Sequence, residues 1–165
     1  MTEATSIAAK EAAARGLQPV TPYLTCSGAA DAIEFYKRAF DARELVRLPG
    51  PDGKVMHACL DINGGSVMLD DEHPQMNNRS PQSLRGTPVT LHLIVDDVDR
   101  VIEKATAAGA KVVVPVADMF WGDRYGQIED PFGHRWSVAT PQRRLSEIEL
   151  REAAHAAGLG CNDGN

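Results

Sequence analysis

An internal repeat limits what this chain can fold into. Val20, Thr21 and Leu24 recur as Val89, Thr90 and Leu93; Ile33 recurs as Ile102, and Asp61 and Gly64 recur as Asp130 and Gly133. All six pairs share one ungapped offset of 69 residues, the interval from Val20 to Val89. Chance rarely keeps one spacing from the first apolar run to the last turn through the same element order. Such a chain builds one small α/β unit twice, and the two copies frame a single ligand cleft.

The periodicities spell out the unit. Residues 20–26 read as a strand ended by Ser27-Gly28. Residues 29–40 read as a helix with Ala29, Ile33, Tyr36 and Phe40 on one face. Strands follow at 42–48 and 55–62, joined by the turn Pro49-Gly50-Pro51-Asp52-Gly53. Asn63-Gly64-Gly65 turns the chain into a short strand at 66–70. The order then restarts after a polar connector: a strand at 89–95, a helix at 97–108 stopped by Gly109, and strands at 111–116, 125–130 and 134–140. The predicted boundaries are a polar arm or helix at 1–17 and one domain at 18–141. That domain divides into a first module 18–72, a connector 73–87 and a second module 88–141. A C-terminal helix (146–157) and tail fill 142–165.

Alternation along the strands separates two surfaces. In the first strand Val20, Pro22, Leu24 and Cys26 share the packing face, leaving Thr21, Tyr23 and Thr25 on the other. In its repeat Val89, Leu91, Leu93 and Val95 pack, whereas Thr90, His92 and Ile94 form the mixed face that looks into the cleft. The last strands of the modules agree, with Ser66, Met68 and Asp70 on the mixed face of one and Arg135, Ser137 and Ala139 on that of the other. A cleft lined this way suits a small organic molecule held by a few fixed polar groups.

Composition excludes several functions. A net charge of −6 argues against nucleic-acid binding, which needs clustered Lys and Arg. Cys26, Cys59 and Cys161 form no C-x-x-C pair; the first two sit in apolar runs as small buried hydrophobes. No apolar run is long enough for a membrane span, and no basic-then-apolar leader opens the chain. A cytoplasmic location is expected. There is no nucleophile elbow or triad, and Gly64-Gly65 precedes a strand, unlike a phosphate loop.

Several segments together resemble the vicinal oxygen chelate superfamily of glyoxalases, bleomycin-resistance proteins and extradiol dioxygenases. They are Ile33-Glu34-Phe35-Tyr36 with Phe40, Val95-Asp96-Asp97-Val98, and Asp130-Pro131-Phe132-Gly133-His134-Arg135-Trp136. Met56-His57-Ala58, Met68-Leu69-Asp70-Asp71-Glu72 and Phe120-Trp121-Gly122-Asp123-Arg124 are similar to the PhnB-type, glyoxalase-like branch. The resemblance spans about residues 18–141. It implies an α+β fold of two tandem βαβββ modules forming a curved mixed sheet around a cleft, and a homodimer.

Metal-dependent members hold a divalent ion with His, Gln and Glu on the first and last strands of each module. Aligned on the resemblance, those positions here are Thr21, Met68, Thr90 and Ser137. None is a good ligand and no carboxylate is present to balance a dication. A displaced site could draw on His57, Glu72 and His92, though none of these sit at a local ligand spacing. The expectation is therefore a metal-independent small-molecule binding protein with no cofactor. Its ligand would touch Thr21, Tyr23, His57, Met68, Thr90, His92, Trp121, Arg124 and Ser137. The alternative is a metal-dependent lyase, isomerase or dioxygenase with one divalent ion on the displaced residues. Phe120 to Tyr125 reads equally as a lid or wall over the ligand and as a structural loop with an internal Asp-Arg pair. Tyr36 is expected in the core, His134 at a turn or the surface, and His73 and His155 exposed.

Overall fold

The computed structural model describes residues 6–159. Two modules with the same element order follow a short helix, α1 (Ile7–Ala14). Module one contains β1 (Tyr23–Cys26), α2 (Ala29–Phe40), β2 (Arg43–Pro49), β3 (Val55–Ile62) and β4 (Gly65–Asp71). A connector with a one-turn helix, α3 (Pro81–Leu84), leads to module two. That module contains β5 (Thr90–Ile94), α4 (Val98–Ala107), β6 (Lys111–Asp118), β7 (Asp123–Glu129) and β8 (Arg135–Pro141), and α5 (Glu147–Ala156) follows. No described helix is long and apolar enough to cross a membrane.

The strands form two four-stranded sheets, ordered β1-β4-β3-β2 and β5-β8-β7-β6. The two tandem βαβββ modules expected from the sequence are present, and each contributes one mixed sheet. Each pairs its first and last strands in parallel and the rest antiparallel. β1 and β5 do not pair with one another, and Val20 and Val89, expected in strands, are exposed outside them.

Repeat positions do equivalent structural work. Gly28, at the N-terminus of α2, has no side chain to cap it. Asp71 at the end of β4 accepts the amides of Gly28 (3.0 Å) and Ala29 (2.9 Å), where a carboxylate also meets the positive end of the helix dipole. One repeat later, Thr140 Oγ1 accepts the amide of Val98 at the start of α4. Gly64 and Gly133 both take positive φ in the turns that bring in β4 and β8.

The core is continuous between modules. α2 buries Ala29, Ala32, Ile33, Phe35, Tyr36, Ala39 and Phe40, a wider face than one stripe. It does so because it packs on its own sheet and also against α4, Phe132 and Trp136 of module two. Asp130 ties that seam together. Its carboxylate accepts from the Tyr36 hydroxyl (2.7 Å), Trp136 Nε1 (3.0 Å) and the amides of Phe132 and His134 (2.9 Å each). A buried charge is tolerable only with such complete hydrogen bonding. Tyr36 is fully buried, as expected, and burial followed by the Asp130 charge pushes its phenol well above the usual value.

Candidate functional site

Between the inner edges of the two sheets lies a cavity of about 660 Å³. Its floor is apolar (Leu24, Val67, Leu91, Leu93 and Trp136) and one wall is the connector, through Arg79, Pro81, Leu84 and residues 86–89. Thr21, Tyr23, Thr25, Thr90 and His92 contribute from the strand edges. Strand alternation explains the mixture: Leu24, Leu91 and Leu93 are buried, while Tyr23, Thr90 and His92 are exposed.

Four of the nine expected ligand contacts, Thr21, Tyr23, Thr90 and His92, line this cavity; the other five do not. Thr21 Oγ1 lies 3.1 Å from Ser66 Oγ and donates to the Gln18 carbonyl. The Tyr23 hydroxyl lies 2.8 Å from His57 Nδ1. Burial, then the Asp70 charge, raises the Tyr23 phenol above its usual value. The His92 ring, through Nδ1, lies 2.8 Å from Ser137 Oγ and stacks at 6.4 Å on Tyr125. Met68 stands across the ladder from Tyr23, and Ser137 across from His92. The residues beside Thr21 and Thr90 on the last strands are therefore Ser66 and Arg135.

The segment 120–125 is fixed in place. The Trp121 indole donates to Asp123 (3.1 Å) and packs edge-on against Phe120 and Tyr125. Gly122, at φ +101°, has its carbonyl held by the amides of Gln142 and Arg143. A Cβ there would clash with the Arg143 carbonyl oxygen. Arg124 forks onto Asp99 at the start of α4 and also reaches Asp118, on the helix side of β7. Its guanidinium braces the scaffold.

The usual metal positions do not fit a metal. Thr21 and Ser137 spend their hydroxyls on Ser66 and His92, Met68 offers a weak thioether donor, and no carboxylate joins them. The displaced set is not assembled either. Glu72 accepts from the Ser80 amide and the Ser83 hydroxyl, capping α3, while His57 and His92 hold Tyr23 and Ser137. Among the described residues, no three His, Cys, Asp or Glu side chains converge to hold an ion.

Two cavity residues had escaped the sequence. His134, expected at a turn or the surface, is buried; its Nε2 lies 3.2 Å from the Thr25 carbonyl and 3.7 Å from Cys26 Sγ. Desolvation lowers its imidazole below the usual value. Its place just after the Asp130 turn was visible, but not that this turn abuts module one. Arg79 belongs to a connector with no repeat partner, so nothing in the pattern singled it out. His155 is exposed and His73 half-buried; Cys161 lies outside the described residues.

With this architecture in view, the chain belongs to the glyoxalase/bleomycin resistance protein/dioxygenase superfamily, whose family model matches residues 16–138. It is 51% identical over 144 residues to the Mycobacterium bovis protein Mb0911c, covering 86% of this chain and 95% of that one. The crystal structure of TioX from Micromonospora sp. ML1 is 30% identical with a TM-score of 0.59, over 73% of this chain and 96% of its own. The PhnB protein from Bacillus cereus, 19% identical, shares the fold with a TM-score of 0.56 over 74% of this chain and 99% of its own.

Proposed function

We propose that this protein binds a small organic molecule without a metal, in the cavity between its two modules. One observation carries the reading. The cavity of about 660 Å³ has the size and mixed lining of a ligand site, yet neutral groups stand where metal-dependent relatives place His and Glu. An apolar floor supplies contact area, and Thr21, Thr90 and His92 supply orienting polar groups. No observation favours a metal-dependent enzyme, since Glu72 is committed to α3. The protein acts in the cytoplasm as a homodimer, consistent with the apolar side chains left exposed on its sheets, among them Val46, Leu48 and Ile94.

Elemental analysis of protein purified without chelator, paired with a thermal-shift screen of aromatic, glycopeptide and phosphonate compounds, tests this reading. The expected result is no stoichiometric metal and a stabilising ligand class whose effect Thr90→Val and His92→Ala weaken. Stoichiometric Ni, Zn, Fe or Mn lost in the His57→Ala/His92→Ala double variant would overturn it.

A further inference from the structure

The cavity is bounded by two strand edges that lack partners. On β1, the carbonyls of Pro22 and Cys26 accept from Met68 and Glu72, so Pro22, Leu24 and Cys26 bond to β4. By the two-residue period, the main-chain groups of Tyr23 and Thr25 point the other way. On β5, the Val95 amide donates to the Ala139 carbonyl, so residues 91, 93 and 95 bond to β8. The main chain of Thr90, His92 and Ile94 therefore also points away from its own sheet.

Side chains of the opposite module satisfy only the ends of these edges. His134 Nε2 meets the Thr25 carbonyl at 3.2 Å, and Asn63 Nδ2 donates to the Ile94 carbonyl at 2.6 Å. Between them, among the described residues, the main chains of Tyr23 and His92 have no partner across the gap. Unpaired edges recruit strands.

We propose that the cavity takes a short extended peptide, of dipeptide or tripeptide size, inserted as a strand between β1 and β5. This rests on the cavity being the ligand site. What fills the gap must present main-chain groups on both sides at once. A free peptide does so, whereas the sheet edge of a second copy has only one open side. The two capped ends keep the insert short. Charge complements a peptide with a free C-terminal carboxylate. In a chain of net charge −6, the cavity lining contains no Asp or Glu, and it includes Arg79, which makes no ion pair among the described residues.

The test uses the full ¹⁵N-labelled chain and a library of N-acetylated tripeptides with free C-termini. Alongside it run the same library N-methylated on the backbone and a C-terminally amidated version. Bound tripeptide is expected to shift the amide signals of Tyr23, Thr25, Thr90 and His92 and to slow their exchange about tenfold or more. N-methylation removes the binding. Amidation weakens it in the wild type but not in Arg79→Gln. Equal binding of the N-methylated library would overturn the proposal, as would tripeptides that leave those four amides unmoved. If such tripeptides fail while other small molecules shift signals from the cavity floor, the strand insert falls and the ligand site stands; if nothing shifts them, both fall. Concentration-dependent protection of Tyr23 and His92 without peptide would assign the edges to a second copy, which also overturns it.

Discussion

Asp130→Asn is the sharpest probe of how the two modules are joined. One carboxylate oxygen accepts the amides of Phe132 and His134; the other accepts the Tyr36 hydroxyl and the Trp136 indole. In the asparagine variant the carbonyl oxygen keeps the two amides, and an NH₂ group faces the other two donors. The Tyr36 hydroxyl can turn and accept, but the indole N–H cannot, and all these groups are buried. An orphaned buried donor costs about 1–3 kcal/mol, and losing a charge-assisted bond adds about 1 kcal/mol, so the loss should be about 2–4 kcal/mol. Tyr36→Phe removes one bond and leaves three, costing about 1–2 kcal/mol. Asp130→Ala orphans all four donors and ranks as the most severe. Urea unfolding followed by fluorescence of the buried Trp136 measures all three. Asp130→Asn within about 0.5 kcal/mol of wild type, the range of ordinary surface changes, would refute the reasoning.

His134 predicts a pH dependence. Its folded-state pKa is lowered, so the neutral form is favoured and its contribution to stability is whole above the ordinary value of 6.5. Stability should fall as the pH drops below that value, and His134→Gln should flatten this part of the curve in unfolding titrations. Glu44 acts lower down: hydrogen bonds from Arg47 and then Lys37 hold its carboxyl at about 2 instead of 4.5. Its contribution is therefore present above about 4.5 and lost as pH falls toward about 2, a slope that Glu44→Gln should remove. Gly122→Ala should cost about 1–3 kcal/mol, because positive φ and the Arg143 carbonyl both oppose a Cβ, and should change the fluorescence of Trp121. Cys26 should resist thiol reagents until the protein unfolds, since burial and then the charges of Asp130, Asp71 and Asp70 push its thiol far upward.

Sequence periodicity located the elements because each signal was local. The helix at 29–40 and the strand at 55–62 match the structure to the residue, for the period and turn chemistry that define them lie within a few positions. Cys26 and Tyr36 were placed in the core by the same logic. What escaped was non-local. Arg124 beside Trp121 could have faced a ligand or a brace, and only the approach of Asp99 from α4 decides for the brace. Glu72 looked available until Ser80 and Ser83 folded back onto it. The unpaired edges were invisible, because the alternation that assigns side chains to faces does not reveal which neighbouring strand is missing.

The repeat itself separates scaffold from site. Where the two modules need the same job done, matched positions do it: Asp71 and Thr140 cap the helices, and Gly64 and Gly133 shape the turns. Around the cavity the match is partial: Val20, Thr21 and Leu24 line it with their identical counterparts Val89, Thr90 and Leu93, whereas Tyr23 has His92 as its counterpart. Tyr23 pairs with His57, while its counterpart His92 pairs with Ser137; Ser66 pairs with Thr21, while its counterpart Arg135 reaches Glu129. The unlike pair Tyr23 and His92 gives the cavity two different edges, which fit a ligand with unlike sides. A strand-like insert has that property, since alternate side chains and the two rows of main-chain groups face different ways.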